Sequence, residues 1–262
     1  MFHTLAYSSS LAAAADFAAV SAIADPAFTA RNNRFIMTDD VKLLMAFYLA
    51  AAATRARFNS PTWNAYGRHQ IFPYYRSATI PDDPRVADYR DWDLRVPQNE
   101  EFGLEGSNDA GAGDQATGFL WVAPVGQNLN IPRGVHRFTA RATYTITSVA
   151  NTWTGPGALT FAENLRGGQY AIVGAAGEDA NTLCARLIFP NGNNFAGRSM
   201  RPGFLLNNAA GRVPFDGFRG GLGQYGSFHS FETPQIEIFS VNAAAHTGEL
   251  RLDLVYLGER SR

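Results

Sequence analysis

The sequence predicts a mainly β protein: an eight-stranded antiparallel sandwich preceded by an α-helical N-terminal arm. Three observations predict it. Residues 1–60 are Ala-rich, with bulky side chains at helical spacing. From Thr117 onward, short apolar runs alternate with Gly/Asn/Pro-rich loops. Between these parts, Pro61, Pro73, Pro81, Pro84 and Pro97 punctuate a segment dense in aromatic residues. The expected divisions are a helical arm at 1–60, an extended Pro/aromatic strap at 61–116 and a β-sandwich domain at 117–262. A chain of 262 residues with 46% hydrophobic content is large enough to bury a core.

The first helix is expected from about Ser9 to Ala24. Serines at 8–10 offer caps, and Asp25-Pro26 ends it. The second is expected over residues 41–55. Thr38, Asp39 and Asp40 precede it, Arg55 and Arg57 close it, and this polarity suits the helix dipole. Leu44, Phe47 or Tyr48, and Ala51 recur at helical spacing, which places that side in a core. The prolines forbid long elements in the strap. Its Trp63, Tyr66, Phe72, Tyr74, Tyr75, Tyr89 and Trp92 exclude a disordered linker. Gln70 to Tyr75 fits one strand.

Eight strands follow: Thr117–Pro124, Arg137–Ser148, Ala158–Phe161, Gln169–Ala175, Leu183–Pro190, Gly203–Asn207, Gln235–Val241 and Glu249–Leu257. Arg137–Ser148 alternates cleanly, with Phe138, Ala140, Ala142, Tyr144 and Ile146 on one face. Leu250, Leu252, Leu254 and Tyr256 do the same in the last strand. Phe138, Tyr144, Leu252 and Leu254 are therefore expected to be buried. Asn207 to Pro234 is a long Gly/Phe-rich loop of the kind that carries contacts.

The formal charge is −1, which argues against a protein that coats nucleic acid. Its distribution is uneven: +1 over residues 1–60, −5 over 61–115 and +3 over the rest. Lys42 is the only lysine among 22 basic residues. That bias matches a GC-rich coding sequence, and arginine also suits contact surfaces through its planar guanidinium. Cys184 is alone, so no intrachain disulfide forms, and its strand-like surroundings imply a buried thiol. No membrane span is expected. Leu11 to Ala24 is interrupted by Asp16, and no basic residue precedes it as a signal peptide requires.

The motifs that carry chemistry are missing or incomplete. Gly221-Leu222-Gly223-Gln224-Tyr225-Gly226 matches GxGxxG by letter, but no strand precedes it and no helix is expected after it. The histidines at 3, 69, 136, 229 and 246 lack metal-ligand spacing. His229 stands between Ser227 and Ser230 without a nucleophile elbow. Asp82, Asp83, Asp88, Asp91 and Asp93 lack the spacing of a calcium loop. The expectation is no catalytic residue, no cofactor, no metal and no enzymatic activity.

Eight strands over roughly 140 residues fit a jelly roll. In strand number, loop style and a final strand that closes the domain, Thr117 to Leu257 resembles viral jelly-roll capsid proteins. The resemblance implies a shell protein that self-assembles with copies of itself and with other virion proteins. It implies location in the virion, after assembly in the host cytoplasm. It also implies an N-terminal arm that reaches neighbouring subunits. Such arms are often strongly basic and this one is not, so weak or no direct nucleic-acid binding is expected. The candidate assembly contacts are Trp63, Tyr74, Tyr75, Trp92, Phe218, Arg219 and Tyr225, residue types that concentrate at interface centres. The alternative is a carbohydrate- or ligand-binding β-sandwich module of a fibre, tail or adhesin, in which Tyr225, Phe228 and Phe231 stack on sugars. A third class, a β-sandwich acting on glycosides, would need a carboxylate pair that no segment singles out.

Overall fold

The run Val41–Ala50, expected as helix, is a β-strand buried on both faces. Its antiparallel neighbour, Asp114–Pro124, lies beside it from Ala116↔Ala50 to Pro124↔Val41. The register slips between Trp121 and Val122, so Leu44 is an extra residue and the alternation inverts there. As a result Val41, Leu43, Ala46, Tyr48 and Ala50 all face one core. Met45, Phe47 and Leu49 are buried on the other face. A strand with both faces covered is a continuous apolar run, and periodicity alone cannot separate it from a buried helix.

The computed structural model describes residues 1–65, 73–79, 81, 84–127, 129–133, 136–190, 194–195, 198–206 and 222–259. The chain forms two compact units. One comprises Thr4–Thr79 and Arg85–Gln127, the other Asn128–Arg262 with Met1–His3 and Ile80–Pro84. Thr117–Pro124 belongs to the first unit, so this division does not follow the expected boundary at 116/117.

The first unit contains β1 (His3–Leu11), β2 (Ala18–Val20), β3 (Thr29–Arg31), β4 (Arg34–Ile36), β5 (Val41–Ala50), β6 (Ala56–Asn59), the short helix α1 (Pro61–Ala65), β7 (Ala87–Asp88), β8 (Arg95–Val96), β9 (Glu101–Gly106) and β10 (Asp114–Pro124). One sheet runs β1-β10-β5-β7, with β8 also on β5. The other runs β2-β9-β4-β3, with β6 also on β9. Leu5, Tyr7, Leu43, Tyr48 and Leu120 of the first sheet share a core with Val20, Phe35, Phe58, Phe102 and Leu104 of the second. The Tyr7 hydroxyl donates to the Phe102 carbonyl across it at 2.7 Å. A Cβ at Gly106 would collide with the Tyr48 ring, so glycine is required there. The expected α-helical arm is therefore absent: its two helices are strands of a sandwich, and α1 is the only α-helix among the described residues.

The second unit contains β11 (His136–Thr147), β12 (Trp153–Ala158), β13 (Thr160–Phe161), β14 (Gln169–Glu178), β15 (Thr182–Ile188), β16 (Asn194–Phe195), β17 (Arg198–Ser199), β18 (Gly203–Leu205), β19 (Gly226–His229), β20 (Gln235–Ser240) and β21 (Ala245–Gly258). One sheet has the order β13-β11-β21-β14-β19 and the other β12-β20-β15-β18, with β16-β17 a separate hairpin. All eight predicted runs contain strand, within a total well above eight. Strands β11 and β21 pair antiparallel from His136↔Tyr256 to Thr147↔Ala245. Tyr144, Leu252 and Leu254 are buried as expected, whereas Phe138 is 37% exposed. It sits near the open end of its strand, where alternation still points inward but cover is incomplete.

On the inner face of the four-stranded sheet lie Ala185, Leu187, Ile236 and Ile238, on the side where Gly157 meets Ile146. Its other face carries Cys184, Arg186, Glu237 and Phe239, also buried. Arg186 bonds Glu237 at 2.5 Å, Arg201 bonds the same carboxylate, and the Arg186 guanidinium lies 4.1 Å over the Trp153 ring.

Candidate functional site: held surface aromatics and a buried histidine cluster

The predicted contact residues separate into inside and outside. Trp63 is buried in α1. Its indole N–H donates to the Arg95 carbonyl at 2.7 Å, and its ring meets Phe58 and Phe102 edge-on at 5.7 and 5.3 Å. Tyr225 is fully buried against Phe2 and Phe204, and burial pushes its phenol well above its ordinary range. These two residues pack inside the fold instead of offering a surface. Tyr74 is half-buried against the first core. Tyr75 is half-buried and forms a single bridge with Leu49; its N–H donates to the Tyr48 carbonyl at 2.9 Å and its ring lies on Phe47. Phe218 and Arg219 lie outside the described residues, as do Tyr66, Phe72, Asp82 and Asp83.

Trp92 is 56% exposed. Its ring meets Tyr89 at 5.8 Å, and Tyr89 meets Phe58 at 5.9 Å, so an aromatic chain joins this surface residue to the core at Trp63. In the second unit Phe231 is 85% exposed. Its ring lies 4.9 Å from that of His229, in a turn closed by Glu232 N–H donating to the His229 carbonyl at 2.8 Å. Val149 is exposed too. Each unit thus presents apolar side chains that its own scaffold holds in water.

Several carboxylates of the acidic segment pair within the first unit. Asp88 accepts from Arg90, whose side-chain hydrogen bond holds the carboxyl below its usual range. Asp93 pairs with Arg95, and Glu105 with Arg57.

One polar constellation escaped sequence reasoning. His246 is buried, with Nδ1 3.3 Å from Asp179 Oδ1. Its Nε2 lies 2.8 Å from Ser148 Oγ and 3.1 Å from Ser240 Oγ. By distance this is a Ser–His–Asp arrangement. By hydrogen bonding it is a strut. Ser148 Oγ donates to the Asn242 carbonyl at 2.7 Å, and Ser240 Oγ to the Asn181 carbonyl at 2.9 Å. Tyr144 and Thr182 hydroxyls donate to Asp179 Oδ2. Both serines are buried, so neither meets the access that a nucleophile needs. The cluster ties the ends of β11, β20 and β21 to the β14–β15 turn. Its members are up to 98 positions apart, so no local motif announces it.

Leu222 to Tyr225 leads into the strand β19, not into a helix, which removes the context a dinucleotide loop requires. Among the described residues no three His, Cys, Asp or Glu side chains are placed to hold a metal, and no helix is long and apolar enough to cross a membrane.

No family model matches the chain, and no curated protein matches it. Two solved structures do. The STIV MCP shares 9% identity at a TM-score of 0.26, over 96% of this chain and 97% of that one. The major capsid protein P2 from bacteriophage PM2 shares 12% identity at a TM-score of 0.25, over 100% and 99%.

Proposed function

We propose that this chain is a structural shell protein that self-assembles into a viral capsid or a similar closed particle. The observation that carries the reading is the pair of held, exposed aromatics: Trp92 on the first sandwich and Phe231 on the second. Leaving large rings in water costs hydrophobic free energy, and fixing them against neighbours lowers the ordering cost of contact. Aromatic side chains are among the types enriched at the centres of protein interfaces. The partner is a second copy, with closed symmetry repeating the contact.

Light scattering coupled to size-exclusion chromatography, with negative-stain imaging, tests this. The parent protein should form large closed assemblies through interfaces above about 1,000 Å². Trp92→Ala with Phe231→Ala should reduce assembly and leave the β circular-dichroism signal intact. A parent protein that stays monomeric at high concentration would refute the shell reading and favour a small binding module.

A further inference from the structure

Phe138, left partly open at the end of β11, floors an open cleft of about 280 Å³ in the second unit. Tyr170, buried at 2% exposure, and Tyr256, with the Arg166 guanidinium 5.8 Å over its ring, back Phe138 from beneath and beside it. Phe138 meets Tyr170 edge-on at 6.1 Å, and Tyr170 meets Tyr256 at 5.2 Å. Both phenols are pinned by the loop above them, Tyr170 donating to the Arg166 carbonyl at 2.9 Å and Tyr256 to the Gly167 carbonyl at 3.2 Å. Gly168, at φ +139°, lets that loop pass over Tyr256, because a Cβ there would strike the ring. The rings are therefore set in place without a ligand.

The rim is polar and mixed in kind. Glu163 Oε2 accepts from the Arg141 backbone N–H at 2.8 Å, which fixes an acceptor at the edge. Arg166 and His136 supply donors. The Arg166 charge is balanced by Glu259 at 3.1 Å, so the rim does not select an anion. An aromatic floor with both donors and acceptors at its edge matches a ligand with one apolar face and a girdle of hydroxyls, each hydroxyl being donor and acceptor at once. A pyranose ring has this form: its axial C–H groups meet the negative face of an aromatic ring, and its equatorial hydroxyls meet planar polar side chains. The volume lies just below the roughly 300–1,000 Å³ of pockets that take drug-sized ligands, and so fits one sugar ring.

We propose that this cleft binds a neutral hexopyranose, the terminal unit of a glycan. The site belongs to the second unit alone and stands whether or not the chain forms a shell. Saturation-transfer NMR on the full chain, with methyl β-galactopyranoside, methyl α-glucopyranoside and methyl α-mannopyranoside, tests it. At least one should bind saturably, with transfer strongest at protons of one ring face. Phe138→Ala should weaken binding about tenfold, the loss of about 1.4 kcal/mol of ring contact. Glu163→Gln should weaken it with the fold preserved, as checked by thermal melting, and Val149→Ala should leave it unchanged. No saturable binding of any of the three overturns the proposal. So does binding that survives Phe138→Ala, or a cleft that accepts no sugar and becomes protected only when copies associate, which would make it a subunit contact.

Discussion

Replacing Glu237 with Ala should be among the most damaging single changes in the second unit. Arg186 is 1% exposed and Glu237 7%, and their bond is 2.5 Å. Arg201 shares the carboxylate. Without it, the Arg186 cation keeps the Trp153 ring at 4.1 Å but loses the Glu237 carboxylate in a place that water does not reach. Removing one partner of a buried pair costs about 3–5 kcal/mol. Against a total stability of about 5–15 kcal/mol that is a large fraction. At about 2–4 °C per kcal/mol for a chain of this size, the melting temperature should fall by about 6–20 °C. Scanning calorimetry and urea titration read the change. Glu259→Ala is the matched control: its pair with Arg166 is exposed on both sides, and such pairs contribute about 0–1 kcal/mol. The double change Arg186→Met with Glu237→Leu should recover most of the loss, since apolar replacement of a buried pair is often neutral or stabilising. If Glu237→Ala stays within about 1 kcal/mol of the parent, or the double variant is as unstable as the single one, the buried-pair reasoning is wrong.

Asp88 carries a depressed carboxyl pKa from its hydrogen bond with Arg90, so its contribution is present above the unfolded carboxylate range near pH 4 and is lost as pH falls through the folded value; acid titrations of the parent and Asp88→Asn should differ above that range and converge below it. Burial pushes the Cys184 thiol far up, so an aromatic disulfide reagent should leave it unmodified in the native chain at pH 8 and react once urea unfolds the protein. His246→Phe should destabilise the second unit by about 1–3 kcal/mol, the cost of removing the imidazole's buried hydrogen bonds to Asp179 and the two serines; a change too small to measure would mean the strut contributes nothing.

The second unit was legible where one face of a strand meets the core and the other meets solvent. In β11, Ala140, Ala142, Tyr144 and Ile146 are buried while Arg137, Thr139, Arg141 and Thr143 are exposed, the pattern written in the sequence. In the first unit Thr117–Pro124 was read correctly as part of β10, but Val41–Ala50 was not, because a strand without an exposed face has no alternation to distinguish it from a buried helix. In β5 the core-facing positions 41, 43, 46, 48 and 50 straddle a bulge, and the opposite face is buried as well. Thr38, Asp39 and Asp40 looked like a helix cap. In the structure Asp40 instead accepts from the Gln98 N–H at 2.8 Å and ties the strand's entry to the β8–β9 turn. The His246 cluster was illegible for a different reason: its residues are assembled by sheet register, which no local spacing encodes.

The misplaced helix and the misplaced tryptophan have one cause. A helical arm has no sandwich interior, so the aromatic residues that follow it have nowhere to go except a surface or a neighbour. Once residues 1–60 supply β1 to β6, a second layer exists, and Trp63, Tyr89 and Phe102 have a core to fill. The ring contacts Trp63–Phe58 and Phe58–Tyr89 are the result. Trp92 is left mostly outside in a tight turn beyond Tyr89, where its N–H donates back to the Tyr89 carbonyl at 2.9 Å and its ring meets that of Tyr89 edge-on. Of the described aromatics the sequence assigned to the strap, Trp92 is thus the one left mostly exposed, and its own core anchors it. Trp63→Ala should consequently lower the stability of the first unit by about 3–5 kcal/mol, the cost of emptying a buried tryptophan site. Trp92→Ala should leave that stability nearly unchanged and act on association. Equal effects of the two substitutions on thermal melting would show that Trp92 belongs to the core after all.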